Sequence, residues 1–211
     1  MGTLTIEHRG RQVRFPDTKG HQARYHTAGA FYEAGMLEAI ADLGRVGVYV
    51  DVGANIGNHS TYFEMFCPTT KVIAFEPLSS AFRVLEQVRD LNDLSFETHQ
   101  LGIGRERAHV LHTIFDTDYH FDVVALDDLG LTDVAVVKID IEGMEVPALE
   151  GMRETLRTSK PMLYVEAHTD QEVLAQSEVL DPLGYSRTGR VFNASPTYEW
   201  TVNRRRRWFT R

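Results

Sequence analysis

Cysteine is almost absent. A single Cys67 in 211 residues leaves no partner for an intrachain disulfide and no cysteine-based zinc site. So little cysteine suits a reducing compartment. No apolar run approaches the roughly 18 residues of a membrane span, and the opening MGTLTIEHRG has no apolar signal stretch. Gly2 suggests N-myristoylation, but position 6 is Ile6, where that motif takes Ser or Thr. The expected location is the cytoplasm, with no membrane partner. Basic residues are also scarce over most of the chain. Twenty-two Lys and Arg against 30 Asp and Glu give a net charge of −8, and five of the arginines fall in the last eight residues, RRRRWFTR. Residues 1–203 thus carry 17 basic and 30 acidic side chains. An acidic body argues against nucleic acid as the main partner, because phosphate binding takes a basic face. The tail, Arg204 to Arg207 and Arg211, is basic enough to hook an acidic surface. The simpler reading is a solvated terminus or a contact to the acidic body.

What is present is ordinary globular composition, 43% hydrophobic and 25% charged, in a chain long enough to bury its own core. Residues 1–27 are polar, with short alternations in Thr3–Ile6 and Gln12–Phe15, and read as a β-hairpin or lid. Helical spacing then covers Ala30–Leu43, and after it strands and helices alternate. Strands are expected at Val46–Val52, Lys71–Phe75, Phe96–Leu101, Val134–Ile139 and Met162–Val165. Helices are expected at Ile56–Phe66, from a cap at Ser79 or Ser80, at Val146–Leu156 and at Gln171–Leu180. Tyr185–Phe192 and Tyr198–Val202 make a closing antiparallel pair. Near-continuously apolar strands separated by helices predict a parallel sheet covered on both faces, a doubly wound α/β fold. The chain divides into an extension over residues 1–45, the main domain over 46–203 and the basic tail over 204–211.

In such a fold, ligands sit at the carboxyl ends of the strands. The turn Asp51-Val52-Gly53-Ala54-Asn55-Ile56-Gly57 lies there, its glycines permitting close approach of a ligand or a helix. The dinucleotide fingerprint G-x-G-x-x-G is missing, and so is the P-loop G-x-x-x-x-G-K-[ST]. A carboxylate two residues before Gly53 repels a pyrophosphate and attracts a cation. S-adenosylmethionine (SAM) offers a sulfonium and an ammonium and no phosphate. Glu76, with Pro77 closing the second strand, stands where an acid takes the ribose hydroxyls of an adenosine. Asp51, Gly53, Ala54, Asn55, Gly57, Glu76 and Pro77 are therefore candidate SAM-binding residues, favoured over a nicotinamide site.

A further cluster is Lys138-Ile139-Asp140-Ile141-Glu142-Gly143-Met144-Glu145. Strand alternation places Lys138, Asp140 and Glu142 on one side. Tyr164-Val165-Glu166-Ala167-His168 repeats the pattern. If the two strands are neighbours, Asp140, Glu142, Glu166 and His168 gather at their ends, able to bind a divalent metal or supply a general base. An ion-paired strand terminus, with Lys138 neutralising one acid, is the plainer alternative.

Together DVGANIGNHSTYF, VIAFEP, LDDL and VVKIDIEGMEVPALEGM resemble the FkbM-type methyltransferases, a branch of the class I SAM-dependent enzymes. The resemblance spans about residues 30–203, from Phe31-Tyr32-Glu33 to the segment ending at Tyr198. It implies a Rossmann-like seven-stranded sheet, mostly parallel with an antiparallel last strand, and methyl transfer to oxygen on a sugar, glycoside or natural product. It also implies that Asp51, Gly53, Asn55 and Glu76 hold SAM, that Asp140 lies beside the methyl donor, and that Glu142 and His168 face the acceptor.

An alkyl hydroxyl is a poor nucleophile at neutral pH, so a base or metal should remove its proton. His168 suits that role and His59 is its rival, with Glu142 and Glu166 beside it. Mg²⁺ or Mn²⁺ is the alternative to a metal-free base, which is the favoured reading. The other histidines (His8, His21, His26, His99, His109, His112 and His120) read as surface residues. Tyr32 and Glu33 are placed to close over SAM, and Asn193 and Thr197 to meet an acceptor or to make a turn. Trp200 and Trp208 read as packing groups. The partner expected is a small molecule or glycan. A non-catalytic SAM-binding scaffold and a nucleic-acid methyltransferase using the tail are the competing readings.

Overall fold

The structure, a computed structural model, describes residues 2–114 and 116–202. The arginine tail with Trp208 lies outside the described residues. Strands β1 (Thr3–His8) and β2 (Arg11–Pro16) form an antiparallel hairpin. Helix α1 (His21–Thr27), which the polar composition concealed, follows it, and then α2 (Ala34–Asp42). The alternating body comprises β3 (Gly47–Val52), α3 (Asn58–Phe66), β4 (Thr69–Phe75), α4 (Ser79–Leu91) and β5 (Glu97–His99). After three short strands, β6 (Gly102–Ile103), β7 (Ala108–Ile114) and β8 (Thr117–Val124), come β9 (Val134–Ile139), α5 (Glu145–Glu150), α6 (Arg153–Ser159), β10 (Met162–Glu166), α7 (Asp170–Leu180), β11 (Tyr185–Phe192) and β12 (Thr197–Val202).

The central sheet has seven strands in the order β11-β12-β10-β9-β3-β4-β5. Pairs among β10, β9, β3, β4 and β5 are parallel, and β12, last in the chain, runs antiparallel between β10 and β11. The expected Rossmann-like sheet with an antiparallel last strand is the one observed. Strand alternation divides the core in two. Val50, Val52, Val137, Ile139 and Val165 face α5, α6 and α7. Tyr49, Val72, Ala74, Val136 and Tyr164 face α2, α3, α4 and the hairpin residues Ile6, Val13 and Phe15. The hairpin thus shares the domain's core. Asp51, Lys138 and Glu166 continue the second set, so the pleat that buries Tyr49, Val136 and Tyr164 also aims these charged groups to one side.

Several local expectations need correcting. The helix expected over 146–156 is two helices, broken at Gly151 and Met152. A Cβ on Gly151 would stand 1.9 Å from the Gly104 carbonyl oxygen, and that glycine's own carbonyl accepts a hydrogen bond from Asp127 N. The Asp127 carboxylate, from the LDDL segment, accepts from Glu154 N, Thr155 N and Thr155 Oγ1 at 2.7–2.9 Å, capping α6 from a distance. Neither Ser79 nor Ser80 caps α4, whose N-cap is Leu78. His26 is buried, stacked on Phe15 at 3.9 Å with its Nε2 3.0 Å from Asn58 Oδ1. Strands β6, β8 and β7, which sequence patterning did not resolve, form a separate sheet in that order. Trp200 packs in the core as expected. Among the described residues, no helix is long and apolar enough to cross a membrane.

Candidate functional site

A cavity of about 570 Å³ opens at the carboxyl ends of β3, β4, β9 and β10, within the ordinary range for a small-ligand site. Gly53 and Asn55 line it where β3 ends, and Glu76 and Pro77 where β4 ends. Gly53 has φ +80°, and a Cβ there would meet the Asp140 carbonyl oxygen at 1.9 Å, so only glycine lets the ends of β3 and β9 close up. Gly53 N and Ala54 N donate to Phe75 O, and Asn55 N donates to Glu76 Oε2 at 2.9 Å. Glu76 Oε1 accepts from Leu78 N at 2.8 Å. Both carboxylate oxygens are thereby fixed in place while each keeps a free lone pair. Burial pushes the Glu76 carboxyl above the usual carboxylate range, against the pull of those two N–H donors.

Ala54 and Gly57 do not line the cavity. Ala54 is fully buried. Gly57 sits at φ +87° with Leu85 Cδ1 2.8 Å from where its Cβ would be, so it serves the packing of α3 on α4.

Asp51 does not line the cavity either. It has no exposed surface, accepts a hydrogen bond from Ser60 Oγ at 2.5 Å, and has Oδ1 3.7 Å from Lys138 Nζ. The register of β3 on β9 pairs the two residues directly. Lys138 donates to Gly53 O at 3.1 Å and stands 3.5 Å from Asp140 Oδ2. Although burial opposes its charge, Asp140 and Asp51 hold the Lys138 ammonium above its ordinary value. Asp51 therefore acts on the cavity through Lys138, beneath the glycine turn.

The two acid-bearing strands are neighbours. β10 lies parallel to β9 with Tyr164 opposite Lys138, which sets Glu166 against Asp140. Asp140, Glu142 and Glu166 all line the cavity. Burial, then the Asp140 charge and a hydrogen bond to it, push the Glu166 carboxyl well above the carboxylate range. Burial would raise Asp140 too, but Lys138 and the bond from Glu166 hold it below. Glu142, at φ +55° in the loop after β9, is raised by burial and by the Asp140 charge. The side chains of Glu142, Glu166 and His168 offer ligand atoms within 4.8 Å of one another.

His168 does not line the cavity itself. It is about half exposed at the rim, with Nε2 3.4 Å from Glu166 Oε2. His59 is buried behind the wall with its Nε2 2.8 Å from Glu33 Oε2, and neither residue lines the cavity. The expected rival base thus stands behind the wall, paired with Glu33, the left-handed N-cap of α2. Tyr32 does line it, its backbone clamped at both N–H and C=O by the Asn58 side chain. Asn193 Nδ2 donates to Thr197 Oγ1 at 3.1 Å across the β11–β12 turn, and Ser195 lines the cavity in their place.

Residues the sequence reading missed come from two elements. His21 and Gln22 of α1 line one side, and Ile114, Tyr119 and Phe121 of β7 and β8 line another. The second set carried a signal: Val110, His112 and Ile114, then Tyr119, Phe121 and Val123, alternate on either side of a short polar turn.

Residues 108–187 match the family model described as the methyltransferase FkbM domain. "Methyltransferase 1" of Beauveria bassiana (strain ARSEF 2860) is 25% identical over 142 residues, 49% of this chain and 57% of that protein. The crystal structure of methyltransferase FkbM from Methylobacillus flagellatus KT superposes with a TM-score of 0.59 at 26% identity, covering 72% of this chain and 42% of that one. The chain thus spans about half the length of these relatives. A precorrin-6y C5,15-methyltransferase structure from Geobacter metallireducens GS-15 covers 79% of this chain and 86% of its own, with a TM-score of 0.55 at 16% identity, a likeness of fold alone.

Proposed function

We propose that the chain is an FkbM-type methyltransferase that transfers a methyl group from SAM to a hydroxyl oxygen of a sugar, glycoside or hydroxylated natural product. The observation that carries this reading is one cavity with two chemically distinct ends. Glu76 stands at one end, held by two backbone N–H groups with lone pairs to spare. At the other stand the carboxyls of Asp140, Glu142 and Glu166.

The ribose hydroxyls of SAM donate to Glu76. The glycine turn lets the nucleoside approach the backbone, and Asp140, kept ionised by Lys138, attracts the cationic methionine end. SAM is already an activated donor, so the protein's task is alignment for in-line displacement. The acceptor oxygen bonds to the methyl carbon as the carbon–sulfur bond breaks, its electron pair staying on sulfur, and the hydroxyl proton is released. Carboxyl-rich walls accept hydrogen bonds from a donor-rich molecule. Tyr32, Tyr119 and Phe121 line the same cavity and supply aromatic surface for the C–H groups of such a molecule. Glu142, Glu166 and His168, grouped at the end away from Glu76, act on the acceptor hydroxyl.

Calorimetric titration with S-adenosylhomocysteine, the demethylated product, tests the cofactor assignment. Saturable binding, tighter than that of NAD, is the expected result. Equal or better binding of NAD would contradict it.

A further inference from the structure

We propose that Glu142, Glu166 and His168 hold a divalent transition-metal ion, Zn²⁺ or Mn²⁺, at the acceptor end of the cavity. The proposal rests on the reading of the cavity as a methyl-transfer site and assigns a ligand that reading leaves unassigned. One imidazole nitrogen and two carboxylate oxygens lie within 4.8 Å of one another. His168 Nε2 and Glu166 Oε2 are 3.4 Å apart. Two ligands each about 2.1 Å from an ion, at the tetrahedral angle, stand about 3.4 Å from each other. Small rotations of the partly exposed Glu142 and His168 side chains bring the third atom in.

A separate observation points to a missing ligand. Glu166 is 5% exposed, yet its Oε2 makes no hydrogen bond among the described residues. It lies 3.4 Å from His168 Nε2 without making a hydrogen bond to it. A buried carboxylate oxygen without a donor is costly, and a metal ion satisfies it. The neighbouring charges agree. The Lys138 ammonium beside this group is already shared between Asp51 and Asp140.

The loop that carries Glu142 is also fixed. Glu145 accepts from Ile141 N and Gly143 N at 3.0 Å on either side of it, and His112 Nε2 lies 2.9 Å from the Glu142 carbonyl oxygen. The side chain is therefore presented to the cavity from a held backbone. An imidazole among the ligands favours Zn²⁺ or Mn²⁺ over Mg²⁺. Three protein ligands leave positions open for water and for the acceptor oxygen. Bound there, the acceptor hydroxyl is polarised and loses its proton to cavity water as the methyl group moves from sulfur to oxygen.

The test uses the full chain without a histidine tag, stripped with a chelator and titrated with Zn²⁺ by calorimetry and, separately, with Mn²⁺ by loss of its free-ion spin resonance signal. One ion per chain is expected. His168→Ala and Glu142→Gln should each weaken binding by at least about tenfold, the loss seen even for groups that only support a ligand. His109→Ala, an exposed histidine on β7 paired with Asp122, should leave binding unchanged. Absence of one-to-one binding of either ion in the wild-type chain would overturn the proposal, as would binding that survives both substitutions. S-adenosylhomocysteine binding by the stripped protein is read separately. If it binds normally while no metal does, only the metal assignment falls; if it fails to bind, the cofactor reading falls whatever the metal does.

Discussion

Lys138 Nζ stands 3.7 Å from Asp51 Oδ1, and both side chains are shut off from water beneath the glycine turn. The pair places an ammonium under Gly53 and Asp140 and ties the ends of β3 and β9 together. Removing one partner of such a buried pair leaves an uncompensated charge, at a cost of about 3–5 kcal/mol. Lys138→Met and Asp51→Asn should each lower stability by that order in urea unfolding. The double replacement should cost clearly less than the sum of the two. Additive losses would show that the two residues do not act as a pair.

Glu76→Ala removes the ribose acceptor and should weaken S-adenosylhomocysteine binding by about 1.5–3 kcal/mol, the range for a hydrogen bond to a charged group. Unchanged affinity would remove Glu76 from the site. The pH dependence follows from burial, which holds this carboxyl above the usual range. As pH falls it takes up a proton sooner than an exposed glutamate, so affinity should fall with it, and Glu76→Gln should flatten that dependence. In the unliganded protein the sign reverses. A folded-state value above the unfolded one means stability present at low pH and lost as pH rises through the raised value. A wild-type affinity that holds steady where Glu76 protonates would contradict this account.

His168 and His59 should separate cleanly. His168→Ala should lower kcat by about 10²–10⁴, the usual cost of losing proton-transfer assistance, with cofactor affinity held within a small factor. His59→Gln, behind the wall against Glu33, should lower the melting temperature with a much smaller effect on kcat. Chelation should abolish wild-type turnover, and Mn²⁺ or Zn²⁺ should restore it. Turnover that survives chelation and falls at low pH would mark a free imidazole base instead.

Deleting residues 204–211 removes five of the 22 basic side chains. Turnover of a small acceptor should be unchanged. A large loss, together with salt-sensitive RNA binding by the intact chain, would favour a nucleic-acid substrate.

Much of the architecture was legible because apolar runs such as Val134–Ile139 are buried on both faces and leave no ambiguity of period. The convergence of Asp140 with Glu166 was legible too, since alternation and parallel neighbours suffice to derive it. Depth was not. Asp51 and His59 carry the residue types of a ligand site, yet they are buried against Ser60, Lys138 and Glu33 and do not line the cavity. Nor was the arm of Tyr119 and Phe121, whose half-polar strands build a small sheet against the site with little hydrophobic signal. The break at Gly151 depends on a tertiary contact with Gly104, which no helical periodicity records.

Methyl transfer to a hydroxyl within this cavity leaves a methyl ether whose mass can be read. Its most direct test is mass spectrometry after incubating the protein with methyl-deuterated SAM and a panel of glycosides and hydroxylated metabolites. The account predicts a product carrying one labelled methyl group on oxygen, formed by the wild-type chain and strongly reduced by Glu142→Gln and by His168→Ala. A chain that binds SAM but labels no hydroxylated acceptor, or that labels only nucleic acid, would contradict it.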